Sequence, residues 1–319
     1  MNKINICFAS DNNYAKYLGL AIMSILKSAG KNDNLHFYIL DNKIQDKEKN
    51  KIAALQKIKH FEINYLPISD ENFKNCCFNS RTITVTTYAR FLIPSLINEE
   101  KILYLDCDIF VRKSLAPLFN IDINGYYLAG VLDIGLSKKY ILNKFKGIIE
   151  PEDYINAGVL LINNEKWQRK SIADDLFKYA GTHSADLRFA DQDCINYILR
   201  AGFLKINPTW NMMDDYFDPY YFLKQKNKEE ILQTQKDPAI RHFKPWKANN
   251  TKEFRDEYIE MMKNSPWAEF IPKDDLSFGN LIKIFFKFWL KYPLFFLTPK
   301  FYLRVKYRGF KRTITRING

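Results

Sequence analysis

The run Ile102-Leu103-Tyr104-Leu105 leads directly into Asp106-Cys107-Asp108, an apolar stretch ending in two carboxylates. On extended backbone, residues i and i+2 point the same way, so Asp106 and Asp108 are expected to converge on one cation while the run before them is buried. Hard oxygen ligands suit Mg2+ or Mn2+, ions that keep open positions for phosphate oxygens, and the pair therefore fits a clamp for a diphosphate. Two aspartates that merely end a strand and cap the next turn are the alternative.

Four further clusters carry groups of the right type. Phe8-Ala9-Ser10-Asp11-Asn12-Asn13-Tyr14 offers a carboxylate and carboxamides that can read the edge of a base and a ring that can stack on it, although such clusters are also ordinary helix N-caps. In Tyr154-Ile155-Asn156-Ala157-Gly158, the glycine either lets backbone approach a ligand or simply opens a turn. Phe189-Ala190-Asp191-Gln192-Asp193 puts polar groups at a helix start, where they act on a ligand or cap. In Ile240-Arg241-His242-Phe243-Lys244-Pro245-Trp246, His242 is either a third metal ligand or a structural histidine, and Lys244 is placed to neutralise phosphate.

The elements expected to position these groups alternate along the chain. Strands are predicted over residues 3–10, 35–40, 61–66 and 101–105, and helices over 14–29, 46–57 and 87–97, the first with Leu18, Ala21, Ile22, Ile25 and Leu26 at the helical period. Further strands are predicted at 126–132 and 156–163, a helix at 192–200, and a solvated helix or loop over 224–236. Such alternation predicts an α/β fold, a mostly parallel sheet covered by helices, with ligands beyond the carboxyl ends of the strands. Asp11 and Asp106/Asp108 fall at such ends.

Together, in this order, the Ala-x-Asp-x-Asn-Tyr strand end, Thr86-Thr87-Tyr88-Ala89-Arg90-Phe91, the Leu-Tyr-Leu-Asp-x-Asp strand, Asn156 to Asn163, Asp191-Gln192-Asp193 and a late His-aromatic with Lys-Pro-Trp resemble the retaining glycosyltransferases of family 8. The likeness is to the branch of bacterial lipopolysaccharide and lipooligosaccharide galactosyl- and glucosyltransferases and covers roughly residues 4–270. It implies a single Rossmann-like GT-A domain over residues 1–272. It further implies a Mn2+ or Mg2+ site at Asp106, Asp108 and His242, and a UDP-sugar donor held by Ala9, Asp11, Asn13 and Tyr14. Arg90, Asp133, Asn156, Gly158, Asp191 and Gln192 would surround the donor sugar, with Lys244 on the pyrophosphate. The family usually spaces histidine and lysine as His-aromatic-x-Gly-x-x-Lys-Pro-Trp. Here Lys244 follows Phe243 at once, which implies a shortened pyrophosphate loop.

Composition narrows the class. The 319 residues are 47% hydrophobic and 26% charged, near the globular average, so disorder is not expected. Five cysteines at 7, 76, 77, 107 and 194, without C-x-x-C spacing, read as free thiols in a reducing compartment. No secretory leader pattern opens the chain and no uncharged run reaches membrane-spanning length, which predicts a cytoplasmic location. Ten Lys and Arg and no acid lie between Leu276 and Gly319, so ten of the twelve net positive charges belong to the tail. With Lys283, Lys287 and Lys291 beside Ile, Phe, Trp and Leu, residues 273–319 read as a basic amphipathic segment that docks on an anionic membrane surface, peripheral on the inner face of a bacterial cytoplasmic membrane. A helix completing the domain's core is the weaker reading because the aromatic density comes with no acidic residue, and a nucleic-acid arm because it leaves so many large apolar residues unexplained. The function expected is transfer of a hexose to a lipid-linked oligosaccharide. A membrane-associated binding protein without turnover is the alternative.

Overall fold

The computed structural model describes residues 2–73, 76, 85–183, 186–200, 202–218, 228–243 and 253–271. The expected domain boundary at 272, the tail and Lys244 lie outside the described residues.

Seven strands form one sheet: β1 (Asn2–Asp11), β2 (Asp33–Asn42), β3 (Phe61–Pro67), β4 (Lys101–Leu105), β6 (Leu128–Leu132), β7 (Ile155–Asn163) and β8 (Phe203–Lys205). Their order is β3-β2-β1-β4-β7-β6-β8, and β7 alone pairs antiparallel with both its neighbours. The mostly parallel sheet expected from the alternation is therefore present. β1 is buried on both faces: Ile4, Ile6 and Phe8 enter one apolar cluster and Cys7 the other. A strand sandwiched between helical layers reads as such an unbroken apolar run.

The helices are α1 (Ala15–Ser28), α2 (Asp46–Ala53), the one-turn α3 (Val85–Tyr88), α4 (Ile93–Leu96) and α5 (Ala116–Phe119), then α6 (Lys138–Phe145), α7 (Asn164–Arg169), α8 (Ile172–Thr182), α9 (Ala190–Leu199), α10 (Lys228–Lys236) and α11 (Arg255–Lys263). The continuous helix expected over 87–97 is instead three short turns, with a 3-10 turn over Ala89–Leu92 between α3 and α4. Pro94 lacks the N–H that would close the ladder to residue 90, and its ring crowds that carbonyl. Residues 253–271 belong to the same domain: Trp267 is fully buried, and a Cβ at Gly19 of α1 would lie 1.9 Å from its ring.

A second, two-stranded sheet pairs β5 (Ile109–Val111) with β9 (Ile240–His242), antiparallel, in the register Ile109↔His242. Three-residue strands carry too little pattern to be read from sequence. Yet this ladder brings His242, far downstream of β5, to the end of β4.

Candidate functional site

β1 and β4 are parallel neighbours, with Ile6 opposite Leu103, so their carboxyl ends open on one edge of the sheet. Asp11 closes β1 and Asp106 follows β4. The Cys107 thiol donates to the Ala9 carbonyl at 3.3 Å, tying the two ends together.

Asp106 and Asp108 do not share an extended strand, as their spacing suggested. Cys107 and Asp108 form a turn between β4 and β5, and Cys107 is buried beneath it. What gathers the carboxylates is β9. The Phe243 N–H bonds the Asp108 carbonyl at 2.9 Å, and His242 Nε2 lies 3.2 Å from Asp108 Oδ1 and 4.0 Å from Asp106 Oδ2. One ligand atom from each of these three residues falls within 4.8 Å of the others. Two carboxylate oxygens and an imidazole nitrogen are a donor set that Mn2+ or Mg2+ accepts, and the separations suit ligands about 3 Å apart around one small cation. Burial alone would lower the His242 pKa, but the Asp108 and Asp106 carboxylates outweigh it and hold the imidazole above its usual value.

Asp106 is held from behind. Its Oδ1 accepts from Arg90 Nη2 at 3.0 Å and from the Tyr104 hydroxyl at 3.1 Å, and its N–H donates to the Gly158 carbonyl at 2.8 Å. The buried Arg90 also donates to the Ala157 carbonyl, stacks 4.3 Å over the Tyr104 ring, and lies 2.9 Å from Asp191 Oδ2 through Nε. Its guanidinium thus organises the pocket wall through protein partners. Burial drives the Asp191 carboxyl up to about 7 against the pull of Arg90. A Cβ on Gly158 would sit 2.3 Å from His242 Cε1 and 2.8 Å from Asp106 Oδ2, so glycine is required for two metal-type ligands to approach this strand.

From the triad a chain of side-chain amides runs into the pocket, and fixed backbone donors set its polarity. Gly158 N–H donates to Asn156 Oδ1 at 2.9 Å, so that atom is the carbonyl, and Asn211 Nδ2 donates to it as well at 2.8 Å. Asn211 Oδ1 is then the acceptor facing His242 Nδ1 at 2.9 Å. The imidazole therefore carries a proton on Nδ1 and turns Nε2 to the carboxylates, the nitrogen that would give up its proton to take a cation. On the other side, Ala157 N–H fixes Gln192 Oε1 as acceptor at 3.0 Å, and Asn156 Nδ2 donates to the same oxygen at 3.1 Å. Asp133 Oδ2 accepts from Asn156 Nδ2 at 3.2 Å and from Gln192 Nε2 at 3.1 Å. Burial raises the Asp133 pKa, partly countered by these bonds. Arg90, Asp106, Asn156, Gly158, Asp191 and Gln192 all line one cavity of about 360 Å3.

At the β1 end the side chains are tied to backbone N–H groups ahead of α1 and α2. Asp11 Oδ1 accepts the Tyr14 N–H at 2.9 Å, and Asn12 Oδ1 accepts the Gln45 N–H at 3.0 Å. Asn13 and Tyr14 remain exposed, with the Tyr14 ring 5.4 Å from that of Tyr17. Partial burial and then the Asp108 charge raise the Tyr14 pKa. Asn211 and Tyr104 were not singled out in the sequence. Tyr104 carries the period-two signal that would have found it, two residues before Asp106 on the same strand face. Asn211 carries none, because the bridge from Met212 to Arg241 that places it is non-local.

Residues 5–251 match the profile of the family described as Glycosyl transferase family 8. General stress protein A of Bacillus subtilis (strain 168) is 29% identical over 279 residues, covering 83% of this chain and 94% of that protein. Lipopolysaccharide 1,2-glucosyltransferase of Escherichia coli (strain K12) is 23% identical over 288 residues, covering 86% and 82% respectively. Among solved structures, the galactosyltransferase LgtC, crystallised in complex with donor and acceptor sugar analogues, matches with a TM-score of 0.72 at 29% identity, covering 82% of this chain and 96% of its own.

Proposed function

Because the chain belongs to glycosyl transferase family 8 and is thus a glycosyltransferase, we propose that it moves a hexose, galactose or glucose, from a UDP-sugar to a lipid-linked saccharide of the lipopolysaccharide-core type, with retention of configuration. The observation that carries this reading is the convergence of Asp106, Asp108 and His242 beside a cavity lined by Asn156, Asp191 and Gln192. Asp11, Asn13 and Tyr14 hold the uridine end, Lys244 meets the diphosphate, and Asp133, Asn156 and Gln192 surround the sugar.

A divalent cation held by Asp106, Asp108 and His242 would supply positive charge to the departing diphosphate. The remaining work falls to side chains. Arg90 fixes Asp106 and Asp191 relative to each other. Gln192 Oε1 already accepts two N–H groups, so its lone pairs are engaged and it is a weak nucleophile. This supports same-face substitution, with the Gln192 carbonyl dipole and Asp191 stabilising an oxocarbenium-like sugar. Gln192→Ala is expected to lower turnover, and wild-type turnover would exclude both roles.

The deciding assay is release of UDP from UDP-galactose, UDP-glucose and their N-acetyl forms, with Mn2+ and with chelator. Metal-dependent release from one of them is the expected result. Binding without any release would favour a nucleotide-sugar-binding protein that has lost catalysis through the shortened segment between His242 and Lys244. Residues 273–319 complete the proposal as a membrane-surface segment on the cytoplasmic side, which raises the effective concentration of a lipid-confined acceptor. Deleting residues 276–319 should release the protein from anionic vesicles and spare UDP-sugar binding. Equal vesicle binding by the truncated chain would refute it.

A further inference from the structure

A second cavity, about 810 Å3, opens between α6, α8 and α9. Its floor is a column of four rings: His183 stacks on Tyr179 at 4.1 Å, Tyr179 on Tyr197 at 4.3 Å, and Phe145 follows Tyr197 at 6.2 Å. Tyr179 and Tyr197 line the cavity, and no hydrogen bond from either hydroxyl is formed among the described residues. Around this floor stand Lys139, Lys144, Lys146 and Arg188, with the Asp186 carboxylate beside them and the buried Asp193 behind Tyr140.

Helix electrostatics do not account for these cations. Lys144 and Lys146 sit at the carboxyl end of α6, where positive charge is favoured, but Lys139 sits in its first turn, where it is disfavoured. Its neighbour Lys138 is paired with Glu152, whereas Lys139 and Lys146 have no acidic partner among the described residues. Arg188 packs 5.6 Å from the Tyr140 ring and 5.3 Å from the Phe189 ring, and it lines both this cavity and the one containing Asp191 and Gln192. The two spaces meet at that side chain.

Resting on the transferase reading, we infer that this groove is an extended acceptor subsite for a phosphorylated saccharide. Phenol hydroxyls and the rings' apolar edges meet the sugar, the lysines meet its phosphate, and Arg188 directs the next residue of the acceptor toward the donor pocket. Charge complementarity selects the occupant: a neutral glycan would leave the lysines of the rim unmatched.

The test uses the full chain, wild type and Lys139→Ala/Lys146→Ala, with Lys139→Gln as a milder variant that keeps the side-chain length. Glucose 6-phosphate, glucose and inorganic phosphate are the probes, with the binding of each followed by isothermal titration calorimetry. Wild type should bind glucose 6-phosphate more tightly than either of the other two, and the double variant should lose about tenfold. Acceptor-free release of UDP from UDP-hexose should be unchanged in the variant, since neither lysine lines the donor pocket. Undetectable binding to wild type, equal binding by wild type and variant, or inorganic phosphate binding as tightly as the sugar phosphate overturns the inference. Loss of binding to phosphatidylglycerol vesicles with unchanged sugar-phosphate binding assigns the groove to a membrane surface and also overturns it. If neither protein releases UDP but sugar-phosphate binding is still lost in the variant, the transferase reading fails and the groove assignment stands.

Discussion

Asn211→Ala tests whether the amide chain behind the triad sets the state of His242. Asn211 is fully buried, accepts from His242 Nδ1 at 2.9 Å and donates to Asn156 Oδ1 at 2.8 Å. Truncation leaves Asn156 Oδ1 with its bond from Gly158 N–H, so the group left without a partner is the His242 Nδ1–H. An orphaned buried donor costs about 1–3 kcal/mol. The loss is relieved when Nδ1 rather than Nε2 gives up its proton, which leaves no Nε2 lone pair for a cation. Groups that hydrogen-bond the far nitrogen of a metal-bound histidine typically contribute about 10–100-fold in affinity, or about 1.4–2.7 kcal/mol, which matches that cost. Mn2+ titration followed by the EPR signal of the free ion should show a dissociation constant raised by about one to two orders of magnitude. Asn211→Asp keeps an acceptor opposite Nδ1 and should retain affinity within about tenfold, although it opposes Asn156 Oδ1 with a second acceptor. Thermal unfolding checks that each variant folds. Wild-type Mn2+ affinity in folded Asn211→Ala would refute the reasoning, and equal losses in both variants would assign the effect to packing.

Gly158→Ala should weaken Mn2+ binding by at least about tenfold, because its methyl would overlap His242 Cε1 at 2.3 Å; unchanged binding in a titration would show that the strand yields at no cost. Because the raised His242 pKa must be overcome for the imidazole to bind metal, Mn2+ affinity should rise as pH increases through and above the usual histidine range, with proton release measurable by calorimetry in two buffers of different ionisation enthalpy. Asp191 has a folded pKa of about 7 against an ordinary value near 3.8, so the folded chain holds a proton that the unfolded chain releases between those values. Its contribution is therefore fully present below the lower value and lost as pH rises through the upper one, by up to about 1.4 kcal/mol per pH unit. Denaturant unfolding of Asp191→Asn across that window should show a flatter stability profile than wild type, and parallel profiles would be the contrary result.

What the sequence revealed divides along the range of the interactions. Strand and helix alternation through Leu105 was legible because each element carries its own period and its own buried face. Asp106, Asp108, Asn156, Asp191 and Gln192 were legible because each lies within a few residues of such an element. The convergence of the two aspartates was anticipated on a geometry they do not have: a turn at Cys107 separates them from an extended strand, and β9 supplies the alignment. The interrupted helix over 85–96 had its sign in Pro94, which the apolar periodicity of the segment outweighed. Asn211 was beyond reach, since its position depends on a single parallel bridge between Met212 and Arg241, and nothing near Trp210-Asn211 marks the asparagine as buried.

The three ligands of the triad are not held alike. Asp106 has Oδ1 fixed by Arg90 and Tyr104 and leaves Oδ2 toward His242; His242 has Nδ1 fixed by Asn211 and turns Nε2 toward the two carboxylates. Each of these residues thus presents one atom to a cation and has the other engaged behind it. Among the described residues the Asp108 carboxylate has His242 Nε2 as its close partner, at 3.2 Å, and so lacks such support. Two supported ligands fix a position, and an unsupported one adapts to the ion and to the phosphate oxygens that share it. Arg90 extends the support across the pocket, because the guanidinium that orients Asp106 also faces Asp191. Tyr104→Phe removes one bond to Asp106 and leaves Arg90 in place. Its effect on Mn2+ affinity should therefore be smaller than that of Asn211→Ala, whose target keeps no second support. Tyr104 and Asn211 bond different residues, so if Asp106 and His242 are held independently the free-energy effects of the two substitutions add within about 0.5 kcal/mol in a double-mutant cycle. A larger coupling would mean that Asp106 and His242 move as one unit, through Gly158, whose carbonyl accepts the Asp106 N–H and whose own N–H anchors the amide chain.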